Sequence, residues 1–508
     1  MSRIYQSGQL NTTALTVPDL YVSIVQPQTL LNGVTSGRVG IVGTASWGPV
    51  NTPVIIGGMG DYLAAFGPKQ AAATDMGLAV NIASLQGASD FRCVRVTDGT
   101  DTAATGSLTG LLNLTARYTG TSGNALSMTV QKTATQYQVT LSAPFAQTAE
   151  VYSVTIQSSV LASMQAIVSA VNATSKLGIL AVVASPSTEP DYPATVALTG
   201  GTNGNAPGTT AFIGSDGSVS GAGTGMYALR GQGCALGVLH GLTDTSTFST
   251  QAAFGLGEGV YMVGSMSAGM SVSAAVSAMA ASGGASYALK VMHGDWLWWN
   301  DDTNGLMLAP PQAFAAGVIA NLGPQNASLN KQLAGIAGSQ KAGQTSAGGT
   351  TTYSTAELSA LIGAGLDVIA NPAPGGAYWA CRSGHNTSLT ATVQSDSYTR
   401  MTNYLATTLA GGMGVYVGAV VNDTLFAEIR ATILGLLSGM LGQGQLATVN
   451  GALPYTVICD RTNNPVTRTA LGYVQADIAV QYQGINEKFI LNLQGGASVQ
   501  IASASGSV

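Results

Sequence analysis

Only 8% of the 508 residues are Asp, Glu, Lys or Arg, where a soluble domain usually has about 25%. The hydrophobic share is an ordinary 46%, so scarcity of charge, not an excess of apolar side chains, limits what the chain can become. A long chain with so few charges has little to keep it apart from its own copies, which points to a large assembly. Its 18 basic and 23 acidic residues are scattered and form no stripe able to neutralise phosphates. That excludes a nucleic-acid footprint. The hydrophobic content excludes a charge-driven disordered chain. The length allows about two to four domains.

Two uncharged stretches, Gly259–Leu289 and Met401–Asn422, raise the question of a membrane span. Both are dominated by Gly, Ala, Ser and Thr, whose insertion free energy is near neutral. They read instead as elements of a packed α/β layer. The opening MSRIYQSGQLNTTALTVPDL lacks the apolar run of a signal peptide. Cys93, Cys234, Cys381 and Cys459 stand at wide, irregular spacings without a CxxC pair, so they read as reduced, buried thiols. Bridges between subunits in an oxidising setting are the alternative.

The raw material of catalysis is scarce. His240, His293 and His385 are the only histidines, far apart in sequence and in no metal-ligand spacing. The chain has no Gly-Lys pair for a phosphate loop, no complete GxGxxG and no GxSxG elbow. His293-Gly294-Asp295 is followed by Trp296, Trp298 and Trp299, which suggests an aromatic cluster after a strand. No catalytic, cofactor-binding or metal-binding residue is assigned.

Apolar periodicity gives the element order. Arg38–Ala45 reads as a buried strand, Val54–Ile56 as another, and Thr74–Gln86 as a helix with Met76, Val80, Ile82 and Leu85 inward. Phe91–Val96 reads as an alternating strand. Asp98–Ser107 is rich in Thr, Gly and Asp and predicts a boundary. A β-rich stretch follows, with strands at Leu111–Tyr118, Leu126–Lys132, Tyr137–Ser142, Val151–Ile156, Gly178–Ala184 and Thr195–Leu198, interrupted by a helix at Val160–Asn172. After Gly200–Gly208 strands and helices alternate again: Cys234–Leu239, Gly259–Gly264, helix Val272–Ala281 and Ala288–Met292. The topology predicted is an α/β core carrying an inserted β-rich unit.

The order of the motifs resembles the contractile tail sheath proteins. Val42-Gly43-Thr44-Ala45, Gly48-Pro49-Val50-Asn51, Tyr62 and Phe66-Gly67 fill that family's opening pattern. Ala116 to Asn124 (ARYTGTSGN) resembles its A-K-Y-x-G-x-x-G-N signature. Leu198 to Gly204 (LTGGTNG) resembles its L-x-G-G-x-D-G hinge, with Asn203 in place of the usual acid. PPQAFAAGVIA, Asn330-Lys331 and Glu357–Ile369 follow in the family's order, then Gly451-Ala452-Leu453, YTVICD, Asn464-Pro465 and EKFILNL. Pro18-Asp19 stands where Pro-Gly is usual before Tyr21.

The resemblance implies a multidomain α/β (α+β) protein with a discontinuous core. Its expected parts are an N-terminal arm (1–19), the N-terminal part of the core (20–103), an inserted β-rich domain (104–203), a subtilisin-like middle domain (204–384), a C-terminal sheath domain (385–494) and a C-terminal arm (495–508). It implies no enzyme and no cofactor. The expected role is a subunit that polymerises as stacked hexameric rings around a tail tube and contracts to drive the tube through an envelope. The implied partners are other copies of the chain, the tube, the baseplate and the tail terminator, with no nucleic acid and no membrane insertion. The implied location is a virion tail assembled in the host cytoplasm. A surface-layer or adhesin-like protein is the alternative, and it would need an export signal.

Terminal arms that add strands to a neighbour's sheet are a further implication. Val17, Leu20, Tyr21, Val22 and Ile24 at one end, and Phe489, Ile490, Leu491 and Leu493 at the other, are the candidates. Phe489, Leu491 and Leu493 alternate as in a half-buried strand. Strands completing the chain's own sheet would have the same pattern. The helix Leu425–Leu441 is the candidate tube-facing element through Glu428 and Arg430, two residues apart and so pointing in different directions. A core helix with a solvated edge reads equally well, and Arg461, Arg468 and Lys488 are further candidates.

Overall fold

The computed structural model describes residues 4–7, 21–24, 31, 33–183, 186, 189–217, 221–344, 353–493 and 495. A seven-stranded sheet forms its centre, in the order Leu366–Asp367, Leu289–Met292, Tyr261–Ser265, Leu236–Leu239, Val39–Gly43, Phe91–Arg95 and Pro53–Ile56. Neighbours are parallel except Pro53–Ile56, which runs antiparallel at the edge. A parallel sheet needs helices on both faces, and its strands are then apolar on both sides. Here Met59–Phe66, Met76–Leu85 and Pro311–Asn321 cover one face, packing on Val39, Ile41, Phe91 and Cys93. Phe248–Glu258, Val272–Ala281 and Thr355–Gly363 cover the other, packing on Val42, Val94, Met262 and Val291.

Two expectations change with this layering. Phe91–Arg95 does not alternate, because all five residues are buried. Leu85, expected inward, is half exposed at the last turn of its helix. That helix starts on Asp75, whose carboxylate accepts from the Gly77 and Leu78 amides.

Residues 103–198 fold around a core of their own. One sheet runs Glu150–Thr155, Gln136–Ser142, Ser127–Lys132, Ala194–Ala197, and the other runs Gly178–Val182, Leu112–Thr119, Ala103–Leu108. The helix Val160–Thr174 completes it through Met164, Ile167 and Val171. In Gln136–Ser142 the buried residues are Tyr137, Val139 and Leu141, as their alternation predicts. Ala103–Leu108, within the stretch Asp98–Ser107 where a boundary is predicted, is the first strand of this unit, its Ala-Ala-Thr-Gly-Ser composition hiding a ladder against Leu112–Thr119.

Beyond the central sheet, Leu297–Asp301 pairs with Gly305–Ala309 and Ile336–Ser339. Trp299 packs edge-on against Phe314, and Trp296 donates to the Met266 carbonyl at 3.1 Å. Of the three tryptophans after the strand, Trp296 and Trp299 are buried in these separate contacts and Trp298 is half-buried. The last unit combines helices Asp396–Met413 and Asp423–Gly442 with one antiparallel pair, Tyr455–Ile458 and Asp477–Val480. The Asp423–Gly442 helix is long and apolar enough to cross a membrane. Its Phe426, Ile429, Ile433, Leu437 and Met440 are buried against the rest of this unit, with Met401, Leu446 and Val457 among their neighbours in the cluster.

Candidate inter-subunit surface

The sheath-like motifs form the neck between the central sheet and the inserted unit. Gly120 has φ +121°, and a Cβ there would stand 2.1 Å from the Ser46 carbonyl oxygen, so only glycine fits. Ser122 donates to Ser46 Oγ at 2.7 Å, while Asn124 both donates to and accepts from Gly201 at 2.8 Å. Asn203, at the family's acidic position, accepts from the Thr121 amide at 2.8 Å, which needs only a side-chain oxygen. Buried Arg95 binds the same junction, donating to the carbonyls of Ala45, Gly48 and Thr119 at 2.8–3.1 Å. Trp47 adds an aromatic contact, with its ring centroid 5.3 Å from those of both Tyr118 and Phe145.

A second buried polar junction ties the central sheet to the last unit. Lys290 Nζ lies 2.7 Å from Asp367 and 3.2 Å from Asp396, with all three side chains fully buried. Asp396 opens the helix Asp396–Met413 and accepts from the Tyr261 hydroxyl at 2.5 Å and the Ser328 amide at 3.1 Å. Asp367 accepts from the amides of Val368, Arg382, Ser383 and Gly384. Burial alone would push the Asp396 carboxyl up, but Lys290 and the hydrogen bonds outweigh it and hold it below the usual carboxylate range. The sequence offered one signal for this junction, a lone lysine inside the apolar strand Leu289–Met292.

Two of the histidines and all four cysteines are buried. Burial keeps His240 neutral, lowering it to about 3, and neither ring nitrogen has a partner. Burial and Lys341 lower His293 to about 4. All four cysteines are buried free thiols, and burial pushes Cys234 up to about 12. Among the described residues no three His, Cys, Asp or Glu side chains converge on a metal position.

The C-terminal unit differs from the rest in what it leaves uncovered. Among the described residues Tyr455–Ile458 and Asp477–Val480 pair only with each other, which leaves both outer edges with free ladder positions there. Around them Val415, Val417, Val420, Val466, Leu471 and Tyr473 are 61–85% exposed. The chain then runs on as extended backbone, and Phe489, Ile490, Leu491 and Leu493 are 75–86% exposed. Among the described residues no strand is formed over Phe489–Leu493 and no element covers the run.

At the other end, Tyr21, Val22 and Ile24 lie in a strand, Tyr21–Ile24, paired in parallel with Ile4–Ser7 of the same chain. Val17 and Leu20 lie outside the described residues. Glu428 and Arg430 are both exposed on the Asp423–Gly442 helix. Beside them Arg461 pairs with Asp423 at 2.7 Å and lies over the Phe426 ring at 5.2 Å. Arg430 and Arg461 line an open groove of about 520 Å³ floored by Phe426, Leu434 and Cys459.

A sealed layered core is thus joined to a unit with exposed apolar side chains. Residues 36–104 match the family model described as tail sheath protein Gp18 domain III N-terminal region. The solved sheath tail protein of Desulfitobacterium hafniense superposes with a TM-score of 0.58 at 14% identity, covering 87% of this chain and 93% of its own. That of Listeria innocua gives 0.58 at 14%, covering 85% and 90%. The sheath of an extracellular contractile injection system, PVC, in its contracted state gives 0.54 at 12%, covering 96% and 99%. No curated protein sequence matches the chain. The chain has the fold of the solved contractile sheath proteins, and its stretch 36–104 matches the tail sheath family model. The resemblance read from the motifs is borne out.

Proposed function

We propose that the chain is the sheath subunit of a contractile tail or injection system, polymerising as stacked hexameric rings around a tube and contracting to drive it through an envelope. The observation that carries this reading is the run Phe489–Leu493, bare on every side in a chain whose fold is that of sheaths. In a neighbouring copy the free edges of Tyr455–Ile458 and Asp477–Val480 supply the ladder such a run lacks. Main-chain pairing of that kind survives large rigid-body shifts between subunits, as contraction demands. Among the described residues Tyr21–Ile24 pairs on one side only, with Ile4–Ser7, and the N-terminal arm is proposed to link copies through the other edge.

Glu428 and Arg430, each exposed on the Asp423–Gly442 helix, are proposed to face the tube. Residues 104–203 are proposed to form an outward module, since their core is separate from that of the central sheet. Baseplate and terminator proteins then contact the ends of the polymer, which assembles in the host cytoplasm as part of a tail. Electron microscopy of the purified chain tests the reading: hollow cylinders of stacked rings support it, and planar lattices or persistent monomers refute it.

A further inference from the structure

After Asp477–Val480 the chain crosses a cleft of about 700 Å³ lined by Tyr398, Leu405, Ile478, Tyr482 and Ile485. On the near side the Gln481 amide donates to the Pro454 carbonyl at 2.7 Å, Gln483 Nε2 donates to the Gly444 carbonyl at 2.9 Å, and the Tyr482 hydroxyl lies 3.2 Å from Thr402 Oγ1 with its ring edge-on to Tyr398. On the far side His385 Nε2 meets Glu487 Oε1 at 2.8 Å, with side chains 11% and 30% exposed. Among the described residues this is the last hydrogen bond between the chain end and the body. The exposed run Phe489–Leu493 starts two residues later. Tyr482 is the last residue of the crossing that packs on the body, against Tyr398, so beyond it the His385–Glu487 contact is what sets the exit direction among the described residues.

We propose that His385 and Glu487 form a clasp that aims the C-terminal run at its acceptor on a second copy, and that protonation of His385 tightens the clasp. This rests on the reading that the run links copies. A bridging segment with a free far end samples many directions, and ordering it on binding weakens association. Tied at Glu487, it is ordered beforehand. Histidine is the side chain whose charge changes between about pH 5 and 8, and protonation turns a hydrogen bond into an ion pair.

The other charged groups around the imidazole are few. Lys290 donates to the His385 carbonyl oxygen at 3.0 Å but is matched by Asp367 and Asp396. The Asp396 amide donates to the Gly384 carbonyl. Arg382 is turned away to the Pro372 carbonyl, and on the tail Lys488 follows Glu487. Glu487 is thus the one carboxylate bonded to the imidazole.

The test uses the full-length chain and the concentration at which polymers first sediment, at pH 6 and pH 8. The clasp predicts that the wild-type threshold is about two- to fivefold lower at pH 6 than at pH 8, the range of a partly exposed ion pair. Glu487→Gln keeps a hydrogen bond without the charge and loses the pH difference. Glu487→Ala raises the threshold at both pH values and speeds tryptic cleavage after Lys488 in the monomer. The clasp is overturned if Glu487→Ala assembles and is cleaved like wild type, or if Glu487→Gln keeps the full pH difference. Deleting residues 489–508 separates the two claims. If that deletion leaves assembly intact, the linking role of the run fails. If it abolishes assembly while Glu487→Ala has no effect, only the clasp fails.

Discussion

The central sheet and the C-terminal unit solve opposite problems with the same charge-poor alphabet. In the sheet, Lys290 and Asp367 are fully buried and matched with each other and with buried Asp396 at the start of the helix Asp396–Met413, while the strands around them are apolar on both faces. In the C-terminal unit, valines and leucines stand in the open and sheet edges are left unpaired. A chain that places charge inside and bare apolar surface outside is incomplete alone. The difference teaches that stability of the single chain and stability of the assembly reside in separate regions.

The strongest break in that contrast comes from the buried junction. Lys290→Ala leaves two carboxylates buried without their cation, and removing one partner of such a group costs about 3–5 kcal/mol. A large fall in the midpoint of urea unfolding is expected. A shift within experimental scatter would mean the junction is not holding the two regions together.

The pH dependence of the core comes next. His240 titrates at about 3 when folded because of burial, against about 6.5 unfolded. A base whose folded value is depressed contributes stability above its unfolded value, lost as pH falls from about 6.5 toward 3. Asp75 has the opposite sign: burial raises it to about 7, so its contribution is full below about 3.9 and lost as pH rises through 7. His240→Leu is expected to flatten the acid limb of a stability–pH profile, and Asp75→Asn the decline between about pH 4 and 7. Unchanged profiles would contradict both assignments.

A smaller effect is expected at the neck. Gly120→Ala forces a Cβ against Ser46 at a positive φ, at a cost of about 1–3 kcal/mol. Melting followed by a probe within residues 103–198 should drop first. Smallest of all, Glu428→Ala and Arg430→Ala are surface changes worth within about 0.5 kcal/mol to the monomer. Their expected signature is weaker co-sedimentation with tube protein at an unchanged melting curve.

The central sheet was legible because buried parallel strands leave continuous apolar runs, and the inserted unit because alternation survives in Gln136–Ser142. The helix Val272–Ala281 matched to the residue, since Ser271 caps it. Ala103–Leu108 was missed because small residues carry no periodic signal. Arg95 and Lys290 were missed as junction residues because their partners lie on other elements, Thr119 and Asp396. The Phe489–Leu493 run was found, but its alternation could not tell an in-chain strand from an unpartnered one.

The most direct measurement is removal of residues 489–508, with thermal unfolding and sedimentation recorded on the same preparation. Each buried Leu or Phe contributes roughly 1.5–3 kcal/mol, and each 1.4 kcal/mol changes an association constant about tenfold. If the run acts only between copies, polymers disappear while the melting curve of the monomer is unchanged. A melting temperature lowered by many degrees, or cylinders that still form, would contradict the separation of chain stability from assembly.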